Sequence, residues 1–382
     1  MEGYCISFLA YVSVITVLGT VAFLRVVMSE VQLTHRLIFY AILLLALERI
    51  CCMYLAALSW VLVFTAATCF LTFQTLSPPK LSVQGKSVLI TGCDSGFGKI
   101  MAQHFDSLGF EVFATVLDKN GPGAKELLQV CSEHLTLIQM DLTKPEDIER
   151  ALQITKEKLG EKGLWGLVNN AGMCINISDA ELTTMSNYRG CMEVNFFGAI
   201  AITKGFLPLI RRAKGRIVNV SSPVGEIPLP FLAAYGASKA ALSLFTNILR
   251  LELSHWGVKV CTILPGFYKT APSRNFEYWE QQVHHLIKNI SSELLQDYGE
   301  EYMLETKDLF LKYVTTAAED FSPVIESITD AILSTNPKPR YYAGKAIIVM
   351  YIFFSILPTS LSDLIFNRSF LLKKVLPKAL QK

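Results

Sequence analysis

Residues 86–98 read KSVLITGCDSGFG, and the fold is decided there. Ser87 to Thr91 is a short apolar run bounded by Lys86 and Gly92, long enough for a buried strand and too short for a helix. Glycines at 92, 96 and 98 break it, and a helical pattern then runs through Phe105 and Leu108. A strand, a glycine turn and a helix in that order let backbone approach a pyrophosphate closely. The free N–H groups of the helix then face the anion. Thr91, Gly92, Asp94, Ser95, Gly96, Phe97 and Gly98 are the candidate cradle. The spacing Thr-Gly-x3-Gly-x-Gly departs from Gly-x-Gly-x2-Gly, so its weight comes from the flanking segments.

Those segments agree. A second strand, Glu111 to Leu117, ends at Asp118, 20 positions after Gly98. A carboxylate there accepts hydrogen bonds from ribose hydroxyls and repels a 2′-phosphate, which predicts NAD rather than NADP, although Lys119 beside it softens that repulsion. A third strand, Leu135 to Met140, leads to Asp141 and Leu142 at the adenine edge. A fourth, Leu164 to Val168, runs into Asn169, Asn170, Ala171 and Gly172, small residues that let the chain pass under the nicotinamide ribose. Strands alternating with helices predict an α/β fold with a doubly wound parallel sheet of Rossmann type.

Of the 382 residues, 51% are hydrophobic and 18% charged, against about 25% charged in an ordinary soluble domain. The apolar excess lies at the amino end. Cys5 to Leu24 is uncharged over 20 residues, the length that crosses a bilayer core, and Leu37 to Phe73 is long enough for two more crossings, interrupted by Glu48 and Arg49. An α-helical transmembrane segment of three helices is expected, the alternatives being a hydrophobic hairpin lying in one leaflet or Glu48 and Arg49 as an ion pair between packed helices. Arg25, Arg36, Lys80 and Lys86 would all fall on one side, which puts the catalytic domain in the cytosol. The expected division is a membrane anchor over 1–80, a catalytic domain over 81–340 with its substrate region at 267–340, and a membrane-proximal tail over 341–382. The net charge of +2, with no long basic run, argues against a nucleic-acid partner. The nine cysteines include no Cys-x-x-Cys pair and no histidine at ligand spacing, so they read as reduced, mostly buried thiols and no metal site is expected.

Tyr235 and Lys239 stand four residues apart, 13 and 17 positions after Ser222. On one helix face the ammonium would favour phenolate, a usable general base. With the glycine turn, residues 169–172 and Asn195, this set resembles the short-chain dehydrogenase/reductase family over about residues 84 to 270. The resemblance implies that Tyr235 is the acid/base, and that Lys239 lowers its pKa and holds the nicotinamide ribose. Ser222 would bind the substrate oxygen beside Tyr235. Asn195, in a helix over Cys191 to Gly198, would hold a proton-relay water. Pro265 and Gly266, after a strand over Val258 to Leu264, would pack along the nicotinamide, with Thr270 near its carboxamide.

Segments around residues 89–99, 114–123, 140–145, 191–198 and 222–228 resemble the NAD-dependent, membrane-anchored members of that family that oxidise steroids in the endoplasmic reticulum. The same likeness implies a homodimer. Phe267, Tyr268, Phe276, Tyr278, Trp279, Phe310 and Tyr313 suit a flat, lipid-soluble ring system, and equally a core or a dimer interface. Ala346 to Leu357 is apolar over 12 residues, too short to span a bilayer but able to rest on membrane lipid.

Overall fold

The computed structural model describes residues 79–270, 275–344, 347–370 and 376–381. Seven strands form one sheet: β1 Ser87–Ile90, β2 Glu111–Val116, β3 Leu135–Gln139, β4 Gly166–Asn169, β5 Arg216–Val220, β6 Lys259–Pro265 and β7 Arg340–Ala343. Their order is β3-β2-β1-β4-β5-β6-β7, and the five pairings from β3 through β6 are parallel. The predicted strands differ from these by one or two residues at their ends. The doubly wound sheet is as the sequence predicts.

Alternation along β1 shows why one short strand organises two layers. Val88 and Ile90 enter one core with Phe105, Phe110 and Ile328, whereas Leu89 enters the other with Phe113, Leu167 and Phe206. Each face is covered by helices that cross between parallel strands. On the first lie α1 Gly96–Ser107 and α2 Pro122–Val130, and on the second α3 Pro145–Leu159. A long helical run follows, α4 Met185–Met192, a π-helical turn Glu193–Gly198 and α5 Ala199–Ala213. The chain then forms α6 Ala233–Glu252. Because sheet order reverses between β1 and β4, their carboxy-terminal ends open a crevice, the place where such sheets bind ligands.

Beyond β6 come α7 Phe276–Asn289, α8 Ser292–Tyr298, α9 Glu300–Thr315 and α10 Ser322–Leu333. After β7 follow α11 Ile347–Ile356 and α12 Thr359–Phe370. Contacts divide the chain into two compact units, one of Met1–Lys80 with Ser334–Arg340 and one of Leu81–Leu333 with Tyr341–Lys382. The second carries the residues of the site described below.

The predicted membrane spans, Cys5 to Leu24 and Leu37 to Phe73, lie outside the described residues. Among the described residues one helical run, Met185–Ala213, is long and apolar enough to cross a membrane. Its Ile202, Phe206, Leu209 and Ile210 are packed into the sheet core, so it is a core helix of this domain.

Candidate active site

The glycine turn is held from three sides. Gly92 and Gly96 have φ of +71° and +56°, the left-handed region that glycine adopts freely. A Cβ at Gly98 would lie 2.1 Å from the carbonyl oxygen of Gly92, a backbone atom that cannot move aside. The Thr91 hydroxyl accepts from the backbone N–H groups of Asn170 and Ala171, both at 3.0 Å. The Asn170 amide donates to the carbonyls of Thr91 and Gly92, at 2.9 and 3.2 Å. Asp94 accepts from the N–H of Leu117 at 2.9 Å, tying the turn to the end of β2. Asp94 therefore shapes the cradle, and Asn170, predicted only as part of the small-residue stretch under the nicotinamide ribose, is one of its main supports. Its signal was present, since it sits between two predicted site residues. Ser95 begins α1 with no side-chain cap, and Phe97 packs edge-on against Tyr268 and Phe321.

Asn169 and Asn170 separate by strand alternation. The Asn169 amide donates inward to Thr203 and Asn219, at 2.9 and 2.7 Å, so its side chain faces the core and only its backbone is available to a cofactor. Asp118 is exposed at the end of β2 and accepts from the N–H of Asn120 at 2.8 Å. Asp141 accepts from the N–H and hydroxyl of Thr143, at 3.0 and 2.8 Å, and caps its own turn. Leu142 is buried under Gly198. Gly266 donates to the carbonyl of Ala343 at 2.7 Å, next to Pro265 at the end of β6. The Thr270 side chain comes within 3.7 Å of where a Gly96 Cβ would stand, so the two ends of the predicted cofactor crevice face each other.

At the centre, Tyr235 and Lys239 lie on α6 with the Lys239 Nζ 5.8 Å from the phenol ring centroid. Ser222 hydrogen-bonds the tyrosine and also accepts from the N–H of Val224 at 3.3 Å, capping a 3-10 turn over Pro223–Gly225. A Cβ on Gly225 would lie 2.7 Å from the backbone of Lys239, so this glycine lets the serine turn sit directly on α6. The Lys239 ammonium donates to the carbonyl of Val220 at 2.9 Å.

Burial dominates the electrostatics. Desolvation pushes the Tyr235 hydroxyl well above the ordinary tyrosine range, with only the Ser222 hydrogen bond opposing, and pushes Lys239 down to about 8. The lowered tyrosine pKa expected from the lysine is thus not a property of the protein alone. A cation that is itself desolvated cannot outweigh the loss of water around the phenol.

Asn195 sits in the π-helical turn, where the extra residue per turn re-aims a side chain, and nothing in the sequence announces that turn. Its carbonyl accepts from the N–H of Met173 at 2.7 Å, and its amide donates to the carbonyl of Met173 and the hydroxyl of Ser238, at 2.8 and 2.9 Å. Ser238 donates in turn to the carbonyl of Tyr235 at 2.7 Å. Asn195 therefore fastens the segment after β4 to α6, with one carbonyl lone pair left to accept from a water.

Residues around this centre fit a dinucleotide. A Cβ at Gly172 would lie 3.0 Å from the Lys239 nitrogen and 3.3 Å from the Asn195 carbonyl oxygen, so glycine keeps a bare surface over both. An aromatic and aliphatic cluster adjoins Ser222 and Tyr235: Ile177, Leu232 and Trp279, with Phe231, Tyr278 and Phe310 against them. Tyr268 is not part of it, being buried with its hydroxyl on the carbonyl of Ala343 at 3.2 Å. Phe276 is exposed. The predicted aromatic set is therefore split between core, surface and site.

The fold and this centre define a class of oxidoreductase, and residues 86–281 match the family described as short chain dehydrogenase. The chain belongs to that family. It is 50% identical over 304 residues to the 11-beta-hydroxysteroid dehydrogenase type 2 of Oryctolagus cuniculus, covering 80% of this chain and 75% of the relative. It is 41% identical over 341 residues to the 17-beta-hydroxysteroid dehydrogenase type 2 of Homo sapiens, covering 88% of each. A short-chain dehydrogenase from Streptomyces avermitilis shares the fold with a TM-score of 0.52 and 23% identity, over 74% of this chain and 96% of that one.

Proposed function

We propose that the protein oxidises the 11β-hydroxyl of glucocorticoids, cortisol to cortisone, and of 11β-hydroxyandrogens, with NAD as oxidant. The observation that carries this reading is the Ser222–Tyr235–Lys239 centre beside an apolar aromatic cluster, in a chain half identical to 11-beta-hydroxysteroid dehydrogenases type 2. Bound NAD supplies the hydride acceptor at the crevice. Thr91, Gly92, Gly96, Gly98 and Gly172 shape its bed, and Asp118 selects NAD over NADP. Tyr235 takes the hydroxyl proton while the Lys239 charge offsets the phenolate, and Ser222 orients the oxygen being oxidised. The cluster holds the rings so that the carbon losing hydride is fixed in place.

A steroid oxidised at the 17β position is the second reading, favoured by the 41% relative. Incubation of the full chain in detergent with NAD and equal amounts of cortisol, estradiol and retinol decides between them by product mass. Cortisone is expected to predominate, and faster turnover of estradiol or retinol would replace the 11β assignment. Tyr235→Phe should lower kcat by about 10² to 10⁴ while NAD still binds.

The reading includes the anchor over 1–80, an endoplasmic reticulum membrane location with the catalytic domain facing the cytosol, and contact with lipid. It also includes a homodimer. Leu244, Ile248 and Leu251 form an exposed apolar stripe on α6 at spacings of four and three, which a second copy would cover.

A further inference from the structure

The aromatic cluster borders a small cavity of mixed polar and apolar walls that the chemistry at Tyr235 does not use. Its volume is about 10 Å³, room for one oxygen-sized group, and its walls are Asn176, Ile177, Trp279, Gln282, Val283 and Lys307 with Leu286. Trp279 belongs to both places. One part of its ring packs against Phe310 at 5.4 Å and Tyr278 at 5.0 Å in the cluster beside Leu232 and Val224, while its side chain lines the cavity.

The indole N–H of Trp279 is buried and has no hydrogen-bond partner, on a residue only 4% exposed. A buried unpaired donor costs about 1 to 3 kcal/mol and calls for an acceptor. Lys307 adds a second donor. It is 8% exposed, and its ammonium is held by Glu280 of α7 and by its neighbour Asp308 at 3.2 Å. Those carboxylates keep it charged, and two acceptors leave one of its three protons uncommitted. Asn176 spends its amide on Ser178 and Thr183, at 2.8 and 3.2 Å. The cavity therefore borders one buried donor without a partner, the Trp279 indole N–H, so the group that completes it is an acceptor.

Its place relative to the reaction centre follows from the chain. Met173 is bonded by Asn195, Cys174 lies close enough to Tyr235 to act on its charge, and Asn176 and Ile177 line the cavity. Three residues of chain span at most about 10 Å, so the cavity stands within about 10 Å of Cys174, the residue whose charge Tyr235 feels.

Resting on the function proposed above, we propose that the Trp279–Lys307 cavity is the subsite for a carbonyl oxygen at the end of the steroid remote from the hydroxyl that is oxidised. An apolar slot binds any flat ring system, and a buried donor left unpaired by a substrate without the carbonyl is what makes such a slot selective.

The test uses the full chain in detergent with cortisol and two analogues, one with a methylene in place of the carbon 3 ketone and one with a methylene in place of the carbon 20 ketone. In the wild type one analogue should show a KM raised about 10-fold or more over cortisol, as expected for a lost hydrogen bond to a charged or buried donor. Trp279→Phe keeps the ring and removes the N–H, and should shrink that ratio several-fold through a higher KM for cortisol. Lys307→Met, which removes the second donor of the wall, should shrink it too if the indole variant does not fold. A wild type that turns over all three steroids with equal KM, or variants that keep the ratio, would show that water serves the indole and would overturn the subsite alone. A wild type that oxidises none of them overturns the proposed function and the subsite with it.

Discussion

Replacing Lys239 by Met should make the protein more stable at neutral pH while abolishing activity, and the gain should fade as pH rises. Lys239 is 3% exposed, and burial lowers its pKa from 10.5 to about 8. Between those values the unfolded chain holds a proton that the folded one has released, so the lysine's contribution to stability rises with pH. By linkage, the ammonium costs the folded state roughly 3 kcal/mol at pH 7.5 and roughly 1.5 kcal/mol at pH 9.5. The bond to the carbonyl of Val220 offsets part of this at neutral pH, and a well-shaped methionine loses it. The buried thiols act in the opposite direction. Burial raises Cys131 to about 11 and Cys261 to about 12, so the unfolded chain loses protons first and both proteins weaken above about pH 8.5. The readout is therefore the difference between the two proteins, in which the shared thiols cancel. Thermal unfolding in detergent at pH 7.5 and 9.5, followed by tryptophan fluorescence, should show that difference shrinking by about 1.5 kcal/mol. A difference that stays constant, or grows, would mean that Lys239 is not desolvated in the folded protein.

Three other outcomes follow from the site. Gly98→Ala places a methyl 2.1 Å from a backbone oxygen and should abolish NAD binding measured by calorimetry, whereas Gly85→Ala, with nothing within 4 Å of its added carbon, should only strain a left-handed turn and leave binding intact. Asp118→Ala should narrow the preference for NAD over NADP in kcat/KM by about 10-fold or more, and an unchanged ratio would assign the choice to another group. Asn170→Ala removes both amide bonds to the glycine turn and should weaken NAD binding about 10-fold, while Asn169→Ala, on the core side of the same strand end, should instead lower the melting temperature.

The sheet was legible because its strands are short apolar runs between glycine-rich turns, and in β1 the run Val88 to Ile90 alternates between two cores. Strand ends shifted by a residue or two because a ladder bond can outlast regular geometry, as when Met140 still donates to the carbonyl of Val116 past the end of β3. Tyr235 and Lys239 could be found because a spacing of four on one helix puts them together, and Ser222 because it stands at the turn that follows β5. Three things could not. The inward turn of Asn169 depends on the register of β4 against β5, the π-helical turn at Asn195 has no compositional mark, and the sign of the tyrosine shift depends on how much water the fold removes. A spacing rule supplies neighbours, and burial decides what those neighbours do to a charge.

On the proposed reaction, that last point decides how a base at Tyr235 would arise. Tyr235 and Lys239 share one buried space, so the protons they hold belong to the pair. At neutral pH burial favours phenol, and Lys239 stands near the point where it gives up its own proton. Removing one proton leaves either two neutral groups or a phenolate beside an ammonium. Burial favours the first. On the proposed reaction the second is the reactive form, and it would gain from every group that meets a negative oxygen: the Ser222 hydroxyl, the lysine itself and the positively charged nicotinamide ring of NAD. The lysine therefore serves less by its charge alone than by being poised to keep or lose it. A permanently charged group at 239 could not remain in that space without a partner, and a neutral one would leave the phenolate unsupported. The resting protein holds Tyr235 as the phenol, and on the proposed reaction the charge would appear only where substrate and cofactor complete the site.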